Sequence, residues 1–145
     1  MIQEMVYKIE NTVHQKFVSL GYNVMKTGLL VTSPNRKFLV EPKLRIMYPK
    51  AEGVIGKLWI SVWDLEWMLD WQSKTAIPIF IVFIVISPPN WAIQKEPTFY
   101  IISLDKAIER KTILKGSKTS QTKLAIISIE DMELLDQCYG ILNTG

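Results

Sequence analysis

The spacing of apolar residues alternates along the chain between the two periods that distinguish helices from strands. Over residues 2–20, apolar side chains recur three or four positions apart, and Gly21 follows where a helix would stop. This pattern is typical of an amphipathic helix. Residues 79–86 form instead a continuous β-branched and aromatic run, which predicts a strand covered on both faces. The two periods together predict an α/β fold.

Further elements follow from turn and capping signals. Ser61, with Asp64 three residues later, resembles a capping box that opens a second helix, whose apolar stripe is Val62, Leu65, Met68 and Leu69. Ser128 and Asp131 are expected to open a final helix in the same way, and residues 105–111 are expected to form a short one. The expected strands are residues 22–26, 29–32, 37–40, 58–61, 79–86, 99–103 and 124–127.

Three tryptophans lie four residues apart on one face of the second helix: Trp63, Trp67 and Trp71. They could form core, a base-stacking surface or a ridge for a partner. Core or a subunit contact is favoured, because aromatic residues are enriched at protein interfaces. A homodimer is therefore one expectation.

Composition limits the class of protein. At 145 residues, with 48% hydrophobic and 21% charged residues, the chain fits one globular domain over residues 1–145. The longest apolar stretch, residues 77–86, is too short to cross a bilayer as a helix, so we expect no membrane partner. The first residues lack the features of a secretory leader, which favours a cytoplasmic location. Cys138 is the single cysteine, which excludes disulfides within one chain.

The net charge of +3 is mild, but its distribution is uneven. Basic residues concentrate in 36–57 and 106–123, whereas acidic residues cluster in 64–70 and 130–136. The two basic segments could form one patch for an anionic partner such as DNA, and solvated loops are the alternative.

Glu41 and Lys43 carry the candidate chemistry. They stand two positions apart at the end of a hydrophobic run, so in a strand both side chains point to the same face. The carboxylate can hold a divalent cation, while the ammonium can orient an attacking water or stabilise charge on a phosphate. The pairing suits phosphodiester hydrolysis, although such a pair alone is common and is often a solvated ion pair.

The order helix, three strands, helix, strand, with Glu41-Pro42-Lys43 after the hairpin, resembles the PD-(D/E)XK nuclease superfamily, which includes archaeal Holliday-junction resolvases. The resemblance covers residues 2–86. It implies a restriction-endonuclease-like αβββαβ core with a mixed central sheet flanked by helices, plus a C-terminal strand and helix. It also implies that Glu41 and Lys43 are catalytic and that Glu10 and Glu41 hold magnesium.

One acid of the family pattern is missing. The family's metal-binding Asp normally begins the strand before the turn, where this chain has Gly28. Glu52 or Asp64 could supply the lost carboxylate. The resemblance therefore implies a DNA-processing protein, a magnesium-dependent endonuclease if the site is complete. The alternatives are an inactive nuclease-fold module that binds DNA or protein, and a subunit of a larger complex.

The residues expected to contact DNA phosphates are Arg36, Lys37, Arg45, Lys115, Lys118 and Lys123. We expect the protein to retain duplex or branched DNA at low salt and to release it steeply as salt rises. Neutralising Lys115, Lys118 and Lys123 together should weaken retention, measured by filter binding, more than neutralising three exposed lysines elsewhere. Equal losses would contradict a basic patch.

Overall fold

The computed structural model describes residues 2–25, 29–33, 36–46, 56–86, 98–114 and 123–135. Three helices lie in these ranges: α1 (Ile2–Ser19), α2 (Val62–Thr75) and α3 (Leu104–Arg110). The strands of the same ranges are β1 (Asn23–Val24), β2 (Leu30–Ser33), β3 (Arg36–Ile46), β4 (Lys57–Ser61), β5 (Ile79–Ile86), β6 (Thr98–Ser103), β7 (Thr112–Leu114), β8 (Leu124–Ser128) and β9 (Glu133–Leu134).

The strands form two sheets. The central sheet has the order β1-β2-β3-β5-β6-β9, and the second has the order β4-β8-β7. Strand β3 runs parallel to β5, while the other neighbours in the central sheet are antiparallel, so this sheet is mixed, as predicted. The chain passes from β3 to β5 through β4 and α2, which provides the long connection that a parallel pair requires.

Strand β5 separates two hydrophobic cores. Phe80 and Val82 belong to the first core, with residues of α1, β2 and β3. Ile81 and Phe83 belong to the second, with residues of α2, α3, β4 and β8. Since successive side chains of a strand point to opposite faces, β5 is covered on both sides, as its continuous apolar run predicts.

Residues 58–61 form a strand, as predicted, but this strand does not join the three that precede it in the central sheet. Strand β4 pairs antiparallel with β8 in the second sheet, with Leu58 opposite Ile127. The physical reason is burial: Leu58 and Ile60 are fully buried in the second core, which lies on the other side of β5 from α1. A short apolar strand carries no signal for which sheet it joins.

Helix α2 begins after Ser61, as predicted, but its buried face differs from the expected stripe. Leu65 and Met68 are buried, whereas Leu69 is 44% exposed. Trp67 and Trp71 pack against the second core instead. Of the three tryptophans, Trp63 is the exposed one, at 71%. Two of the three tryptophans therefore contribute to the core, which was one of the favoured alternatives.

The final helix expected after Ser128 is reduced, within the described residues, to one 3₁₀ turn over Ile129–Asp131, and β9 follows it. Met132 is buried in the second core and Leu135 in the first. In a helix these two residues, three apart, would lie on the same face, whereas an extended segment can direct them to different cores. Cys138 lies outside the described residues. Among the described helices, none is long and apolar enough to span a membrane.

Neighbouring substitutions in β5 test its burial on both faces. Phe80→Ala should cost about 3–5 kcal/mol of unfolding free energy and Ile81→Ala about 2–5 kcal/mol, because each leaves a cavity in a different core. Ile113→Ala, on the partly exposed strand β7, is the control and should cost much less. Urea unfolding of the three variants measures this. A large loss at only one of the two β5 positions would contradict the two-core arrangement.

Candidate active site

Strand β3 presents Glu41 and Lys43 on the face of the central sheet that looks toward the second core. Phe38 and Val40 of β3 belong to the first core, whereas Leu39 packs against the second. Because side chains alternate along a strand, residues 41 and 43 point to the same side as Leu39. Both side chains are therefore beside α2 and β4.

Pro42, between the two charged residues, fits the strand because of where its nitrogen points. The Leu39 N–H donates to the Pro78 carbonyl at the start of β5, and the Val40 N–H donates in the other direction, to Leu29. By the same alternation, the nitrogen of Pro42 points away from β5. Its missing donor therefore removes no hydrogen bond from the β3–β5 ladder.

Asp64, in the first turn of α2, contacts the β3 pair. Its Oδ2 lies 3.2 Å from the Lys43 Nζ, while the Glu41 Oε1 lies 3.7 Å from the same nitrogen. The Trp67 Nε1 donates to the Asp64 Oδ1 at 3.3 Å, and the Asp64 backbone N–H donates to the Ser61 Oγ at 3.0 Å. The helix cap and the indole thus fix the carboxylate that meets Lys43.

The two carboxylates differ in acidity. Burial raises the pKa of Glu41, the Lys43 charge lowers it, and the negative charges of Asp64 and Glu10 raise it, so that it lies above its usual value. Burial also raises the pKa of Asp64, but the Lys43 ammonium and hydrogen bonds with Lys43, Ser61 and Trp67 outweigh burial and bring it below its usual value. Asp64 is therefore the more firmly ionised acid.

Glu10, predicted as a second magnesium ligand, lies on α1 with an exposed side chain. It acts on Glu41 through its charge. Within the described ranges, no group of three or more acidic, histidine or cysteine side chains is close enough to hold a metal ion. Gly28 and Glu52, the other positions that bear on the missing acid, lie outside those ranges.

Arg45, the next residue of β3 on this face, is turned toward the protein. Its Nε donates to the Trp59 carbonyl at 2.8 Å and its Nη1 to the Leu44 carbonyl at 2.7 Å. The guanidinium lies 5.4 Å from the Trp59 ring centroid and 5.7 Å from that of Phe83. Burial lowers the pKa of Arg45, although Asp64 opposes this. Its role in DNA binding stays a prediction.

The other predicted DNA contacts that the structure describes lie at the start of β3 and just before β8. Lys37 and Lys123 are exposed, and the Lys123 carbonyl accepts from the Val62 N–H at the start of α2. The Arg36 guanidinium lies 5.3 Å from the Phe80 ring centroid. Lys115 and Lys118 lie outside the described residues. Among these residues, Lys123 is joined by a backbone hydrogen bond to the start of α2, the helix whose first turn contains Asp64.

Sequence reasoning named Asp64 as one acid that could compensate for Gly28, without placing it. The available signal was the Ser61-x-x-Asp64 capping pattern, which fixes Asp64 in the first turn of a helix. That pattern carries no information on which strand the helix end meets. The contact with Lys43 depends on the crossover between β3 and β5.

No family model and no curated protein matches the chain. Its fold is similar to the solved structure of Hjc, a Holliday junction resolvase from the archaeal hyperthermophile Archaeoglobus fulgidus. The TM-score is 0.55 at 8% identity, over 92% of this chain and 94% of the resolvase. This likeness confirms the expected nuclease fold, with a central mixed sheet flanked by helices.

Asp64→Asn tests the charge of the cluster through stability. We expect a loss of about 1–2 kcal/mol near neutral pH, because a charge-assisted contact with Lys43 is removed. The folded-state pKa of Asp64 is depressed, so the stabilisation is present above the unfolded pKa and is lost as pH falls through the folded one. The difference between wild type and variant should therefore shrink in acid, measured by urea unfolding across pH.

The matched control is Asp70→Asn. Asp70 is also on α2 and pairs with Lys74 at 2.8 Å, but both side chains are largely exposed. An exposed pair of this kind contributes at most about 1 kcal/mol, so the control should change little at any pH. Equal and pH-independent losses in the two variants would contradict a half-buried charge cluster at Asp64.

Proposed function

We propose that the chain is a DNA-processing protein that hydrolyses phosphodiester bonds at Glu41 and Lys43. One observation carries this proposal: a carboxylate and an ammonium lie side by side on β3, half-buried beside the capped end of α2. The similarity of the fold to a Holliday junction resolvase supports the choice of DNA as substrate. The pKa shifts at Glu41 and Asp64 are of the kind that clusters at functional sites.

The residues present fit a magnesium ion that is held by few protein ligands. Mg²⁺ commonly uses one or two carboxylates and completes its shell with water and substrate phosphate. Glu41 supplies one hard oxygen donor, and Glu10 adds negative charge. When bound, the ion would neutralise charge on the phosphate and activate a water. Lys43 would orient that water or stabilise the charge that develops on the phosphate oxygens.

The basic residues would hold the DNA backbone without reading its sequence. In this proposal Arg36, Lys37, Arg45, Lys115, Lys118 and Lys123 contact phosphates. Such contacts give salt-sensitive and largely sequence-independent binding. A homodimer also stays a proposal: of the three α2 tryptophans, Trp63 is the one exposed for a subunit contact. A cytoplasmic location and a single domain over 1–145 remain predictions.

A second candidate is a nuclease-fold module that binds DNA or protein and does not cleave. The specific observation in its favour is that no three metal-ligating side chains converge among the described residues. Gly28, in place of the family's Asp, is consistent with either candidate, because one ligand fewer weakens a divalent site.

Cleavage assays separate the two candidates. With labelled four-way junction or duplex DNA and Mg²⁺ or Mn²⁺, we expect absent or feeble cleavage by wild type. Glu41→Ala and Lys43→Ala should each lower it by at least about 100-fold, or to background. Gly28→Asp should raise it, because a third carboxylate adds a hard oxygen ligand.

Two outcomes would redirect the proposal. Robust metal-dependent cleavage by the Glu41→Ala, Lys43→Ala double variant, in a preparation free of contaminating nuclease, would mean that the chemistry lies elsewhere. Salt-sensitive DNA retention without cleavage by either wild type or Gly28→Asp would favour the non-cleaving module.

A further inference from the structure

Lys43 lies between two carboxylates but is not shared equally. The Asp64 contact, at 3.2 Å, is within hydrogen-bond range, whereas the 3.7 Å separation from the Glu41 Oε1 is too long for a well-formed hydrogen bond. The flexible stem of a lysine would allow either arrangement. The ammonium therefore forms its hydrogen bond with the helix residue, whereas its contact with Glu41 is a longer ion pair.

The Asp64 side chain is better fixed than a surface acid. Ser61 caps the helix and binds the Asp64 backbone, and the Trp67 indole donates to the Oδ1, which leaves the Oδ2 for Lys43. Trp67 itself packs against the second core. By contrast, Asp70 on the same helix has an exposed ion pair with Lys74. Of these two α2 acids, Asp64 is the one whose carboxylate is oriented by hydrogen bonds from partly buried side chains.

Without Asp64, Glu41 would be the one remaining ion-pair partner of Lys43 among the residues that the structure describes. A hydrogen-bonded Glu41–Lys43 pair would occupy the carboxylate oxygen that the proposed reaction needs as a cation ligand. We propose that Asp64 is a positioning residue that takes the hydrogen bond of the Lys43 ammonium, so that Glu41 stays in a longer ion pair and its carboxylate remains available to a divalent cation. This inference rests on the proposed function, and it assigns Asp64 a task different from that of a replacement ligand.

The first measurement locates the ammonium without DNA or metal. Nitrogen-15 NMR of lysine ammonium groups, assigned with Lys43→Met, should show a Lys43 signal protected from exchange with water. Asp64→Asn should abolish or shift that signal, whereas Glu41→Gln and the control Asp70→Asn should leave it in place. Loss of the signal in Glu41→Gln with retention in Asp64→Asn would overturn the inference, as would the absence of a protected signal in wild type.

The second measurement separates positioning from direct ligation, using Mn²⁺ alone and calorimetric titration. Asp64→Asn should weaken Mn²⁺ binding by about tenfold or more, the usual effect of losing a group that orients a ligand. Lys43→Met should bind at least as well as wild type. The Lys43→Met, Asp64→Asn double variant should match Lys43→Met, because there is no ammonium left to hold.

A double variant that binds Mn²⁺ much more weakly than Lys43→Met would make Asp64 a direct ligand and would overturn the positioning role. If wild type binds no Mn²⁺, the metal-dependent function fails, and the NMR measurement still decides whether Asp64 holds Lys43. Asp64→Glu is the conservative variant, and it should retain part of the protected Lys43 signal that Asp64→Asn loses. Retention of the signal in Asp64→Ala would contradict the inference.

Discussion

Residues 79–84 of β5 are buried on both faces, and β3 is paired with β5 in parallel from Leu39↔Ile79 to Ile46↔Ile86. This pairing fixes the register of β3. A shift by one residue would turn Glu41 and Lys43 toward the first core and bring Val40 and Pro42 to the α2 side. The two hydrophobic cores on either side of β5 therefore determine which face of the sheet carries Glu41 and Lys43.

The parallel pairing of β3 with β5 also determines which side chain contacts Lys43. A parallel pair needs a long connection, and here that connection includes α2, whose capped first turn carries Asp64. Leu65 and Met68 anchor α2 in the second core, and this packing sets the position of its first turn. The contact between Lys43 and Asp64 is thus a consequence of hydrophobic packing on both sides of the charged cluster.

Such a cluster is a poor source of stability. Two carboxylates and one ammonium, half-buried, lose hydration that their mutual attraction only partly returns, and the raised pKa of Glu41 reflects this cost. The two cores can supply that free energy, since a fully buried aromatic or aliphatic side chain contributes about 1.5–3 kcal/mol. Stability therefore gives no reason for these charges, whereas the proposed function gives one. At 8% identity to the resolvase, that reason rests on the side chains and not on the fold.

The sequence by itself determined several of the elements and the same-face pair. The 3.6-residue period of α1, the continuous apolar run of β5 and the cap at Ser61 are local signals, and each element formed where its signal lies. The spacing of Glu41 and Lys43 likewise required only the period of a strand. Only the tertiary structure decided that β4 joins β8, that Leu69 is exposed, that Arg45 points inward and that Asp64 reaches Lys43. These contacts join residues distant in sequence, and a local hydrophobic pattern specifies that a side chain is buried without specifying against which element.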